Sequence, residues 1–319
     1  MEKRKAIGIL GAGAFGTALA LVYRGKFNVT LFSSYVDHVI SMRQTRSNEF
    51  LNGFTIPNDV QIEVTSNLEK NRYDYLFWVF PTKPTVTILE NLKARMDLTN
   101  VIVCSKGLLS NSSFVCDLFK EKLPSSEIGY LAGANFSVEL AEGKISTADV
   151  ASRNLRHAKM LAEELTTENF VLNPIDDMVG AQISGAIKNI VAIACGIAYG
   201  LNLGENAHAS LITMALSEMR ELGMALGAKK ETFCGFCGLA DLILTTSSPK
   251  SRNMSLGFEL SQGKSIDEIL KNSTCEGYDT LPQIIDLAGK NNVKIPICNA
   301  VYKIVFENQA PNTINDVFK

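Results

Sequence analysis

Short apolar runs and amphipathic stretches alternate through the first half of this 319-residue chain. Ala6-Leu10 is a compact apolar run, followed by a glycine-rich turn and a helix-like stretch to about Tyr23. Asn28-Phe32, Tyr75-Val79 and Val101-Cys104 are further runs of strand length, with helical patterns at Thr85-Met96 and Ser113-Leu123. Pro81 and Pro84 follow the third run, where proline ends a strand and shapes a loop. Strands alternating with helices predict an α/β fold, a doubly wound, Rossmann-like parallel sheet covered on both faces. From about Ile175 the pattern changes to helices alone: Met178-Tyr199, Ala209-Leu226 with Gly227 as its stop, Asp267-Leu270 and Thr280-Ala288. The chain therefore divides into a dinucleotide-binding domain over 1–175 and an all-helical substrate domain over 176–319. Gln182, Lys188 and Asn189 break the long apolar stretch, so it predicts a buried central helix and no membrane span.

Composition narrows the partner. The chain is 46% hydrophobic and 20% charged with net charge −2, and its lysines and arginines are not clustered. No nucleic acid is expected, and the partner is a small molecule. Seven scattered cysteines imply free thiols, hence a cytoplasmic location. Cys234 and Cys237 are spaced like half a zinc or redox site, but a second pair is missing, and His38, His157 and His208 lie far apart. Packing is the expected role, and no metal is expected. The basic start Lys3-Arg4-Lys5 and the apolar stretch to Ala20 resemble a secretory signal. Gly8, Gly11, Gly13 and Gly16 fall where a strand and a tight turn need them, which favours a retained segment.

The chemistry begins at Gly11-Ala12-Gly13-Ala14-Phe15-Gly16. Gly11 permits a tight turn, Gly13 lets a pyrophosphate approach the backbone, and Gly16 lets helix and strand pack closely. The phosphates would sit on the helix N-terminus. An Asp or Glu for the ribose is absent from the end of the second strand. Ser33, Ser34 and Tyr35 stand there, so NAD and NADP both remain open. Lys188 lies in an apolar helix; burial and a second cation would depress its pKa toward that of a useful proton donor. It could equally snorkel or pair with an acid. Lys106 follows the fourth strand, where ligands of doubly wound sheets bind, or where a surface lysine would sit. Leu239 to Asn253 is rich in hydroxyls (Thr245, Thr246, Ser247, Ser248, Ser251) and ends in Arg252, suited to a phosphate, or to an ordinary capped turn.

Together these elements resemble the bacterial type of NAD(P)-dependent glycerol-3-phosphate dehydrogenase, from about residue 5 to 285. The resemblance rests on Gly-Ala-Gly-Ala-Phe-Gly, Ser105-Lys-Gly-Leu108, Ala132-Gly-Ala-Asn-Phe-Ser137, Gly185-Ala-Ile-Lys-Asn-Ile190, Gly238-Leu-Ala-Asp-Leu242, Ser248-Pro-Lys-Ser-Arg-Asn253 and Glu276-Gly-Tyr278. It implies interconversion of dihydroxyacetone phosphate and sn-glycerol 3-phosphate for glycerophospholipid synthesis, by an enzyme that is commonly a homodimer. It implies Lys188 as proton donor and acceptor, helped by Lys106. It implies a substrate lined by Lys106, Gly133, Asn135, Lys188, Asp241, Ser251, Arg252 and Asn253. The cofactor would meet Gly11, Gly13, Ala14, Phe15, Gly16, Ser34, Lys106, Ser137, Arg252 and Glu276. The chain departs from the family at Ala14-Phe15, Ala134, Asn135 and Ser34, the last standing where an arginine often meets a 2′-phosphate. Two rivals remain: another two-domain β-hydroxyacid-type dehydrogenase, and a non-catalytic nicotinamide sensor.

Overall fold

A computed structural model describes residues 4–69, 72–96, 100–247, 251–271 and 274–319. Contacts divide the chain into two compact units: Met1–Ser105, Val115–Leu131 and Asn135–Asp176 form the first, and Lys106–Phe114, Ala132–Ala134 and Asp177–Lys319 the second. No single cut along the chain describes them, because two short segments of the first half group with the helical unit.

The first half of the chain runs β1 (Ala6–Leu10), α1 (Ala14–Tyr23), β2 (Asn28–Ser33), α2 (Val36–Thr45), β3 (Gln61–Val64), β4 (Tyr75–Trp78), α3 (Thr85–Leu92), β5 (Asn100–Val103), α4 (Val115–Lys122), β6 (Ile128–Ala132), α5 (Ser137–Ala141), β7 (Ser146–Ser152), α6 (Leu155–Leu165) and β8 (Phe170–Ile175). The strands form one eight-stranded sheet in the order β3-β2-β1-β4-β5-β6-β7-β8. Pairing is parallel from β3 through to β6 and again between β7 and β8. Strand order reverses at β1, which lies between β2 and β4, and ligands of such sheets bind outside the carboxyl ends of the strands there. The central strands are apolar on both faces because helices cover both: Ile7, Ile9, Phe77, Trp78 and Val101 to Val103 are buried. Four strands escape the apolar-run criterion. β3 is a four-residue edge strand that alternates polar and apolar residues, β6 contains Gly129, β7 reads Ser-Thr-Ala-Asp-Val-Ala-Ser, and the outermost strand β8 carries Pro174.

The second unit is built on α7 (Met178–Gly200), with α8 (Glu205–Ala225), α9 (Asp241–Thr246), α10 (Arg252–Ser261), α11 (Ile266–Leu270), α12 (Glu276–Lys290) and α13 (Pro296–Phe306) around it. Every α7 residue from Gly180 to Ala198 is buried, as expected of a helix that is apolar all round. Among the described residues α7 alone is long and apolar enough to cross a membrane, and its apolar 18-residue window is wholly buried inside the protein. Asp177 caps it, accepting from Gly180 N (2.8 Å), Lys229 N (2.8 Å) and Thr232 Oγ1 (2.7 Å). α10 lies directly against α7. A Cβ on Gly257 would collide with the carbonyl of Ile193, and one on Gly196 with that of Met254, so the two backbones touch only because both positions are glycine. The helix α13 was not legible as a helix in the sequence, although Pro296 opens it at a favoured position.

Candidate active site

In the first unit the glycine turn is shaped as its spacing predicts. Gly11 has φ +122°, and a Cβ there would lie 2.9 Å from the Val79 carbonyl carbon. A Cβ on Gly16 would collide with the Gly11 carbonyl oxygen. Gly13 is different: apart from its chain neighbours, no atom of the described residues lies within 4 Å of where its Cβ would be. Gly13 is also the N-cap of α1, which has no side-chain cap and no acid in its first turn. The turn thus leaves the backbone bare on an open side and presents the positive end of a helix, which is what a pyrophosphate needs. The residues present fit a nicotinamide dinucleotide. Ala14 and Phe15 are half-buried at the start of α1, and Ser34 is exposed just beyond β2.

In the second unit a cluster of charges forms around Asp241, the first residue of α9. Lys188 Nζ donates to Asp241 Oδ1 at 2.6 Å and to Thr245 Oγ1 at 2.9 Å. Lys106 Nζ donates to Asp241 Oδ2 at 3.2 Å. One carboxylate therefore holds two ammonium groups, one on each oxygen. Lys188 is 5% exposed, so it does not snorkel; it is both buried and paired. Burial pushes its pKa down to about 8; the Asp241 carboxylate opposes the shift and the Lys106 cation reinforces it. Lys106 is less enclosed, its side chain 23% exposed, and Lys188 is the one that gives up its proton first.

A chain of amides continues from this cluster. Asn253 Nδ2 donates to Asn189 Oδ1 (3.0 Å), and Asn189 Nδ2 to Glu276 Oε2 (3.4 Å). Asn253 Oδ1 in turn accepts from Gly277 N (3.0 Å) and Cys275 Sγ (2.8 Å), so the orientation of its amide is fixed by an obligate donor. Burial raises the Glu276 carboxyl pKa against the opposing pull of Lys106, Arg252 and Lys188. Ser251 caps α10, and Arg252 is exposed at its first position, with Nη1 on Thr274 Oγ1 (2.9 Å).

Several residues singled out in the sequence have partners within the protein. The threonine hydroxyls are not loose donors for an anion. Thr246 returns its hydroxyl to Leu242 O (2.8 Å), and Thr245 bonds Asp241 O (2.6 Å) while accepting from Lys188, the usual habit of threonine inside a helix. Ser248 lies outside the described residues. Both oxygens of Asp241 are taken by lysines. Asn135 directs its amide to Thr147 O (3.1 Å), while Gly133 is buried and Ser137 opens α5. Asn189 and the Lys188 contact of Thr245 were missed; position 189 beside the lysine was the available signal. All seven cysteines are free, with Cys234 exposed and Cys237 buried, and among the described residues no three His, Cys, Asp or Glu side chains are grouped to hold a metal.

Two family models match the chain: the N-terminal region of NAD-dependent glycerol-3-phosphate dehydrogenase over residues 6–158 and its C-terminal region over 177–316. A glycerol-3-phosphate dehydrogenase (NAD(P)+) of Maricaulis maris is 36% identical over 96% of this chain and 93% of its own length. One from Hyphomonas neptunium is 37% identical over 94% and 91%. The crystal structure of glycerol-3-phosphate dehydrogenase from Coxiella burnetii superposes with a TM-score of 0.93 at 31% identity, covering 99% of both chains. With its glycine turn, its paired lysines and both halves matched in order, the chain belongs to the NAD(P)-dependent glycerol-3-phosphate dehydrogenase family.

Proposed function

We propose that the protein interconverts dihydroxyacetone phosphate and sn-glycerol 3-phosphate, with Lys188 as the group that gives and takes the proton. The observation that carries this is the burial of Lys188 against Asp241, whose other oxygen holds Lys106, with its pKa lowered to about 8. The bound nicotinamide cofactor, NAD or NADP, supplies or accepts hydride. As the carbonyl oxygen gains charge during reduction, Lys188 donates its proton; in oxidation the neutral amine takes the alcohol proton. Asp241 fixes the ammonium, and Thr245 fixes its rotamer. Lys106 supplies a second cation beside the developing charge.

The dinucleotide belongs to the first unit, on Gly11, Gly13, Ala14, Phe15 and Gly16, with Ser34 and Ser137 as further contacts. The substrate belongs to the second unit. Arg252 and Asn253 are nearest its phosphate, a role supported by the exposed guanidinium at the start of α10. Gly133, Asp241 and Ser251 complete its surroundings. We read the protein as a soluble, cytoplasmic homodimer supplying glycerol phosphate for glycerophospholipids. The test is oxidation of NADH and NADPH, measured side by side, with dihydroxyacetone phosphate as substrate. Turnover only with a carboxylate-bearing keto acid would refute the assignment.

A further inference from the structure

A hydrogen-bonded chain within the first unit links the end of β2 to the glycine turn. Asn48 is 2% exposed. Its Nδ2 donates to Ala12 O (3.0 Å) and Thr17 Oγ1 (2.7 Å), and its Oδ1 accepts from Phe50 N (3.0 Å). A carbonyl can only accept and a backbone N–H can only donate, so the amide has one orientation. His38 Nε2 lies 3.1 Å from that Oδ1 and must therefore carry a hydrogen. In the neutral ring Nδ1 is then the acceptor, and it faces Ser33 Oγ at 3.1 Å. Ser33 donates its only hydroxyl hydrogen to His38, while its oxygen accepts from Tyr35 N (3.3 Å). The bend carrying Ser34 is thus anchored through Ser33, His38 and Asn48 to the carbonyl of Ala12.

This chain also decides what the end of β2 has to offer. Ser33 has no hydrogen left for a phosphate. The segment 33–50 contains two arginines, and both are engaged. Arg43 bonds Ile62 O (2.8 Å) and Glu63 (2.6 Å); Arg46 bonds the carbonyls of Ile56, Pro57 and Val60. Asp37 and Glu49, in the same segment, are exposed and negative. A 2′-phosphate carries nearly two negative charges and needs donors; ribose hydroxyls need an acceptor.

We propose that His38 and Asn48 are positioning residues that hold the adenosine end of the dinucleotide site against its pyrophosphate end, and that the site they create prefers NADH to NADPH. This rests on the cofactor reading above. Two readouts separate the failures: equilibrium binding of each reduced cofactor, followed by nicotinamide fluorescence, and steady-state kinetics with dihydroxyacetone phosphate. NADH should bind about tenfold or more tightly than NADPH, roughly the discrimination expected when a doubly charged group meets engaged arginines and exposed carboxylates. Binding of neither cofactor would sink the cofactor reading itself. Equal or tighter binding of NADPH would overturn only the preference proposed here.

His38→Leu removes both bonds and should raise the Kd and KM of NADH by about five- to tenfold, one lost buried hydrogen-bond link. The kcat and the KM for dihydroxyacetone phosphate should hold within about twofold, because the link lies on cofactor-binding backbone alone. His38→Gln can still donate to Asn48 and accept from Ser33, and should restore NADH binding to within about twofold. A merely structural residue would lower Tm in His38→Leu without this split or this rescue. Unchanged NADH binding in His38→Leu, or a loss that His38→Gln does not rescue, overturns the positioning role.

Discussion

Asp241→Asn is the most informative single change. The substitution keeps the shape and removes the charge that both Lys188 and Lys106 contact, at 2.6 and 3.2 Å. Breaking a buried ion pair by removing one partner costs about 3–5 kcal/mol. The protein need not bear that cost as lost stability, because Lys188 can shed its proton instead. Since 1.36 kcal/mol corresponds to one pH unit, the carboxylate is worth about two to four pH units of support for the Lys188 ammonium. Its titration would then fall from about 8 to well below neutrality. With Lys188 in the proposed role, reduction of dihydroxyacetone phosphate requires the ammonium. Its rate should fall roughly 10²–10³-fold at neutral pH, within the range for loss of a general acid. Oxidation of glycerol 3-phosphate requires the neutral amine, so its profile should move to lower pH. The assay is kcat against pH in both directions, in wild type and variant, with Tm recorded at each pH. A reduction profile whose midpoint stays near 8, or moves upward, would refute this account of how Lys188 is tuned.

Lys188→Ala should lose about 10²–10⁴-fold in turnover while cofactor affinity, measured by fluorescence, stays within a few fold; unchanged turnover would remove Lys188 from the reaction. In the wild type, reduction should slow and oxidation quicken as pH rises through about 8, because the folded lysine releases its proton there; initial rates across that range check the sign. Glu218, buried on α8, accepts from the backbone N–H groups of Ile297 (2.5 Å) and Cys298 (3.3 Å), and burial raises its pKa to about 7. A folded pKa above the unfolded one contributes stability that is full below about 4.5 and lost as pH rises through about 7, roughly 3 kcal/mol in all. Urea titrations should show that slope flattened in Glu218→Gln. Gly257→Ala should cost roughly 1–3 kcal/mol by forcing α10 off α7, read as a lower urea midpoint.

The alternation of strands and helices was legible because parallel strands buried on both faces are short apolar runs, as at Tyr75-Trp78. It failed where burial is weaker, at the edge strands β3 and β8, and where small polar residues fill a strand, as in β7. At the site, Lys188 and Lys106 stood out by their surroundings, and Arg252 by its neighbours. Their common partner did not. Asp241 is 53 residues from Lys188 and 135 from Lys106, and nothing local in Gly-Leu-Ala-Asp-Leu says that both oxygens are spoken for. In the hydroxyl-rich run composition does not tell which hydroxyls are free: α9 turns Thr246 back on its own backbone.

The chain enters the helical unit at Lys106, leaves it after Phe114, visits it again at Ala132–Ala134 and settles there from Asp177. That itinerary makes the protein hard to dissect. A fragment starting at Asp177 would hold Lys188 and Asp241 but not the second cation, and a fragment ending at Asp176 would carry Lys106 away from its carboxylate. Gene truncation or domain exchange at the apparent boundary would therefore split the cluster of two lysines and one carboxylate. A transplant would have to carry the Lys106–Phe114 loop along. The same threading delays assembly during synthesis: the Lys106–Asp241 contact cannot form until most of the polypeptide has been made, so a truncated product carries no finished site.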